Sequence, residues 1–88
     1  MRVEWDAAKD KANIAKHGLS LGDAVELLAG KPVITVDERH DYGEARYIAV
    51  GPINGRLCVC VFTLRGKTYR IISLRKANER ERHDHQNP

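Results

Sequence analysis

The sequence predicts an α+β domain: an antiparallel sheet carrying two N-terminal helices packed on one face, with a short C-terminal helix after the last strand. Three observations predict it. Small and branched apolar residues recur at helical spacing between residues 6 and 29, two turn signals divide the β-rich stretch 46–74, and the tail from Lys76 is charged and helix-permissive. With 88 residues there is room for one modest core, so residues 1–88 form a single domain. A balance of 42% hydrophobic and 31% charged residues is that of a globular chain and excludes a disordered one. A domain this small buries only roughly 60 to 65% of its unfolded surface, so a partner would add stability.

Val3 to Trp5 reads as a short first strand. Asp6 is an N-cap for a helix in which Ala8, Ala12 and Ala15 form the repeating small-residue positions up to His17, and Gly18 ends it in a left-handed conformation. Ser20 caps a second helix, with Asp23 at the position of a capping box and Leu21, Ala24, Val25 and Leu28 on the buried side. Gly30 and Pro32 stop that helix. Val33 to Asp37 is a β-branched strand and residues 38–43 are loop-like. Strands Arg46 to Pro52 and Arg56 to Leu64 flank Asn54-Gly55, a strong hairpin signal, and a second hairpin turns at Arg65-Gly66-Lys67 into Thr68 to Leu74.

Two-residue turns at both hairpins set Ile48 opposite Val61, and Thr63 between Arg46 and Arg70. One face then holds Ile48, Val50, Val59, Val61, Ile72 and Leu74, with Arg46 and Arg70 at its end, and is expected to be the core. The other holds Tyr47, Phe62, Tyr69, Ile71, Ser73, Arg75 and both cysteines; a three-residue second turn would swap the faces of the last strand.

The longest apolar stretch, residues 57–64, is far short of the roughly 20 residues that a membrane span needs. The N-terminal residues lack an apolar h-region and a small-residue cleavage site, so a cytoplasmic location is expected. Cys58 and Cys60, two apart in one strand, are poorly placed to bridge each other and read as reduced thiols. Charge is unevenly spread: residues 1–43 carry six Lys or Arg against eight Asp or Glu, and residues 44–88 carry nine against four. From Ala45 to Asn78 there are seven basic side chains and no acid, a segment suited to polyanions. The plainer reading of such a segment is a solvated basic face.

Lys16-His17-Gly18-Leu19-Ser20, Asp37 with His40, Gly43-Glu44-x-Arg46, Thr63-x-Arg65, and Arg70-Ile71-Ile72-Ser73-x-Arg75-Lys76-Ala77 with Glu79 resemble the BrnT family of bacterial type II toxins; Val3-Glu4-Trp5-Asp6 also fits. The resemblance runs from about residue 3 to about residue 82. It implies a RelE-like ribonuclease fold, RNA cleavage that arrests growth, and neutralisation by a BrnA antitoxin whose DNA-binding part is a ribbon-helix-helix. The implied assembly is a toxin–antitoxin hetero-oligomer, a heterotetramer, that reaches operator DNA only through the antitoxin. Two positions depart from the family pattern: Leu74 replaces a frequent Ala, and His85 stands where an aromatic Tyr is usual. If that Tyr helps catalysis or holds the last helix, either His85 does its work or the activity is impaired.

RNA cleavage without a metal or other cofactor requires a base for the ribose 2′-hydroxyl, an acid for the leaving oxygen, and cations to offset charge developing on phosphorus. Arginine suits the last role because its planar fork binds two phosphate oxygens and stays charged. Arg46 and Arg70 are the first candidates and Arg75 the next; as strand-end arginines they equally suit ion pairs with Glu44 or Asp37. His40 is a candidate acid or base because an imidazole exists in both forms near neutrality, although a loop histidine is commonly just solvated. Glu44 and Glu79 serve either as base or as orienters of the arginines, and Arg65, Lys67 and Lys76 as phosphate contacts. His17, at a helix end, reads as structural.

Cys58, Cys60, His83 and His85 supply four zinc-type ligands but lack knuckle spacing, so no metal is expected. Tyr47, Phe62 and Tyr69 on one face suit either base stacking or packing under a partner such as the antitoxin. Two alternatives to an enzyme follow from the same residues: a catalytically silent antitoxin-binding module that tunes promoter repression, and a plain nucleic-acid binder acting through charge.

Overall fold

The computed structural model describes residues 1–39 and 41–86. The elements in chain order are β1 (Arg2–Trp5), α1 (Ala7–His17), a 3-10 turn (Leu21–Asp23) running into α2 (Ala24–Ala29), β2 (Val33–Val36), β3 (Tyr47–Ile53), β4 (Arg56–Arg65), β5 (Thr68–Lys76) and α3 (Glu79–Gln86). The local signals act as expected. Asp6 accepts hydrogen bonds from the Ala8 and Lys9 amides, Gly18 closes α1 at φ 72°, and Ser20 with Asp23 forms a capping box. Asn54 and Gly55, at φ 52° and 77°, make the two-residue turn between β3 and β4. Arg65 pairs with Thr68, so the second hairpin also turns on two residues, Gly66 and Lys67.

The strands lie in the order β1-β5-β4-β3-β2. The sheet is mixed rather than antiparallel: β2 to β5 form the expected antiparallel ribbon, and β1 joins the far edge parallel to β5. The helices between β1 and the meander free it from the direction a hairpin would impose, and it runs beside the last strand.

The core lies on the sheet face opposite to the one that alternation suggested. Leu21, Ala24, Leu27 and Leu28 pack against Ala49, Ile53, Cys58, Cys60, Phe62, Ile71 and Leu74. Of the other residues expected in the core, Ile48, Val50, Val61 and Ile72 are half-exposed and Val59 is buried but outside this cluster. Both faces of β3 and β4 are apolar, so periodicity alone does not rank them. Small residues decide. Gly51 has Leu27 Cγ only 3.3 Å from where a Cβ would sit, so α2 lies close on that side. A bulge between Val61 and Phe62 sets Ile72 out of register, which is why Ile71 and Leu74 both face the core although they differ in parity.

Helix α1 is a second correction. Ala8, Ala12 and Ala15 are exposed, and the buried residue is Asn13, 7% accessible. β1 pairs only with Thr68 to Ile71, so the outer edge of β5 is open beyond that point. Asn13 closes it: its Nδ2 donates to the Leu74 carbonyl at 2.8 Å and its Oδ1 accepts from the Leu74 amide at 3.1 Å. In α2 the buried partner of Leu28 is Leu27, with Val25 43% exposed, because the opening 3-10 turn shifts the helical phase.

Candidate active site

The inverted sheet places Thr63 and Arg70 on the face opposite the α2-packed core. Thr63 of β4 sits directly opposite Arg70 of β5, and its buried hydroxyl donates to the Ala45 carbonyl at 2.6 Å, tying the entrance of β3 to β4. Arg46 follows at once. Its guanidinium carbon lies 3.8 Å from the centroid of the Tyr42 ring, and its backbone carbonyl accepts from the Asp37 amide at 2.8 Å. Tyr42 donates through its hydroxyl to Asp37 at 3.2 Å, and Arg39 grips the same buried carboxylate at 2.9 Å through both Nε and Nη2. The Arg39 hydrogen bonds hold the Asp37 carboxyl well below the usual carboxylate range, so this anchor is an anion at any working pH. The Arg46 Nε is buried without a hydrogen-bond partner among the described residues, a cost that a shift of the guanidinium toward an acceptor would relieve.

On the other side of Thr63, Arg70 reaches Glu4 at 3.3 Å across the β1–β5 pair. The parallel entry of β1 also carries the first turn of α1 to this place. A cleft of about 210 Å³ results, with Lys9, Arg46, Arg65 and Arg70 among its walls together with Asp6, Glu44 and Thr63. Asp6 is occupied as the α1 cap, and its amide hydrogen bonds lower its pKa. Glu44 stands 3.9 Å from Arg65, close enough for attraction but not for a good hydrogen bond. Four cations, from α1, β4, β5 and the loop before β3, around one depression suit a phosphodiester, with the Glu44 carboxylate available as a base.

Of the residues that sequence singled out, Glu44, Arg46, Arg65 and Arg70 meet in this cleft. Arg75 does not. It lies five positions along β5, roughly 16 Å away, and makes a bidentate pair with Glu81 at 2.7 and 2.8 Å. Glu79 borders a different depression on α3, with Arg82 and His83. His85 lies beside Gly55, Arg56 and Leu57, at the other end of β4. Lys76 lines a cavity of about 460 Å³ with Arg56 and Cys58, and Lys67 is exposed at its turn. His40 lies outside the described residues. Cys58 and Cys60 are free and buried, and burial pushes the Cys60 thiol up to about 12, whereas His83 and His85 are exposed on α3. The four zinc-type residues are therefore not gathered.

Lys9 was missed from sequence. It is 61 positions from Arg70 and belongs to a helix whose face the alanines misassigned, so only the β1–β5 pairing reveals it. The aromatic trio does share a face, with ring centroids 5.3 Å apart for Tyr47–Phe62 and 5.2 Å for Phe62–Tyr69, and it packs onto the core. No described helix is long and apolar enough to cross a membrane.

Known proteins have the same sequence pattern and the same architecture. The family model for the ribonuclease toxin BrnT of type II toxin–antitoxin systems matches residues 5–81. The crystal structure of the Brucella abortus ribonuclease toxin BrnT is 30% identical and aligns with a TM-score of 0.69, covering 90% of this chain and 99% of that one. No curated protein sequence matches significantly. With the family match running from Trp5 at the end of β1 to Glu81 in α3, and so across every wall of the cleft, the chain belongs to the BrnT family of ribonuclease toxins of type II toxin–antitoxin systems.

Proposed function

We propose that the chain is a RelE-like endoribonuclease that cleaves RNA without a metal ion and arrests growth in the cytoplasm until a BrnA-type antitoxin binds it. The observation that carries this reading is the convergence of Lys9, Arg46, Arg65 and Arg70 around a cleft that also holds a carboxylate. In the reaction, Glu44 accepts the 2′-hydroxyl proton, O2′ bonds to phosphorus, and the P–O5′ bond breaks. Arg46 and Arg70 balance the charge on the phosphoryl oxygens. The departing O5′ takes a proton from an acid, a role we assign to His40, two residues before Tyr42 in sequence. The products are a 2′,3′-cyclic phosphate and a 5′-hydroxyl end.

The proposal includes neutralisation by a ribbon-helix-helix antitoxin, in a heterotetramer that touches operator DNA only through that partner; what the helix-side sheet face supports is a protein partner. Val36 and Leu64 are 55% and 43% exposed there, beside the half-buried Tyr47 and Tyr69 that they pair with. An uncovered apolar patch of this kind suits a protein partner. A second reading, a silent antitoxin-binding module, is favoured by the sites of Arg75, Glu79 and His85 away from the cleft.

Purified protein incubated with RNA in EDTA decides between them. Cleavage giving cyclic-phosphate and 5′-hydroxyl ends, lost on Arg70→Ala, supports the enzyme. An intact RNA with the folded wild type supports the module, and undiminished cleavage by Arg70→Ala removes the cleft as the site.

A further inference from the structure

The cleft does not end at Lys9. A second depression of about 300 Å³ adjoins it along the seam between α1 and β5, and the two share Lys9 and Ile72. Ala12, Ile72 and Ser73 line this groove together with Lys9, Lys16 and His17. Lys9 and Lys16 are both exposed and seven residues apart on α1, about two turns or roughly 10 Å along the helix axis. No salt bridge among the described residues involves either lysine. The acid that lies on the helix between them, Asp10, is already engaged by the Ser20 hydroxyl and the Leu21 amide, at 2.9 and 2.7 Å.

We infer that this groove holds the nucleotide next to the scissile phosphate, with its base against Ala12 and Ile72 and its outer phosphate held by Lys16. The inference rests on the ribonuclease reading of the cleft. Two features specify a nucleotide as the occupant. The groove adjoins the cationic cleft at Lys9 and Ile72, and a chain bound in the cleft must leave along a neighbouring surface. It also combines apolar residues with ammonium groups that form no salt bridge among the described residues, which matches a flat base joined to an anion rather than a free anion or an apolar side chain. The groove therefore extends recognition from one phosphate to at least one flanking nucleotide, and makes the length of the RNA matter.

The test uses the full chain, a fluorescent 2′-O-methyl RNA hexamer that cannot be cleaved, and two cleavable substrates, a ribohexamer and a dinucleoside monophosphate. Lys16→Glu is expected to weaken hexamer binding about tenfold, and its KM penalty on the ribohexamer should exceed that on the dinucleotide by the same factor. Lys16→Ala should lie between wild type and Lys16→Glu, and thermal melts of both variants report on folding. Unchanged hexamer affinity and KM in a folded Lys16→Glu variant would overturn the groove while leaving the ribonuclease reading intact. A wild type that binds the hexamer through Lys16 but cuts neither substrate would overturn the ribonuclease reading and keep the groove as a binding site. A wild type that neither binds nor cuts would overturn both.

Discussion

Asn13 illustrates how far one polar side chain can be committed to the backbone. Besides its two bonds to Leu74, its Nδ2 donates to the Leu19 carbonyl at 2.8 Å, so α1, the loop after it and β5 are held by one amide. Asn13→Ala leaves a buried amide and carbonyl of Leu74 without partners, and urea denaturation should show a loss of roughly 2–4 kcal/mol. An equal stability of the two proteins would mean that the edge of β5 finds other partners. The cysteines give a second expectation. Cys60 is inaccessible, with its thiol raised to about 12 by burial, and burial raises Cys58 as well. Both should resist iodoacetamide in the native protein and react only on unfolding, as mass spectrometry would show. Neither outcome was legible in sequence: a polar residue on an alanine-rich helix reads as solvent-facing, and alternation put the cysteines on the face opposite the expected core.

At the scale of an element, α3 depends on Glu81. Its carboxylate accepts from the Asn78 amide at 2.9 Å while its own amide donates to the Asn78 side chain at 2.8 Å, which is a reciprocal helix cap, and the same carboxylate binds Arg75. The Arg75 guanidinium, with help from the Asn78 amide, lowers the Glu81 pKa to about 2. A carboxylate depressed in the fold stabilises it above its unfolded pKa of about 4.5, and that contribution disappears as pH falls toward 2. The groups are partly solvated, so the pair is worth on the order of 1 kcal/mol. Comparing wild type with Glu81→Gln by thermal melts should show a stability gap at pH 7 that narrows below about pH 4.5. A gap independent of pH would mean that charge plays no part in seating α3.

At the scale of the molecule, the cleft exists because β1 enters parallel to β5 and brings α1 beside Arg70. Replacing one donor that faces developing charge typically costs 10²- to 10³-fold, so Arg70→Ala should reduce kcat by about that factor with the fold unchanged. Four cations in the cleft and a fifth along α1 also predict a salt-sensitive encounter. The log–log slope of RNA affinity against salt should be about −2 to −4, since each neutralised phosphate of a single strand contributes roughly −0.7. A slope near zero would show that the cations do not contact the backbone.

The sequence by itself determined the elements, the Asn54-Gly55 turn, the place of the second hairpin, the helix caps at Asp6 and Ser20 and the family, because these depend on neighbours a few residues apart; the two-residue length of the second turn came from the strand pairing. It also marked Glu44, Arg46, Arg65 and Arg70, which the meander brings together through local hairpin pairing. Only the tertiary structure decided which apolar sheet face is covered, since that depends on where Leu21 and Leu27 can approach Gly51 and the cysteines. It alone joined Lys9 to the arginines and sent Arg75 to Glu81, because a strand linked through helices can pair at either edge and a long cation turns to whichever carboxylate the packing brings within reach.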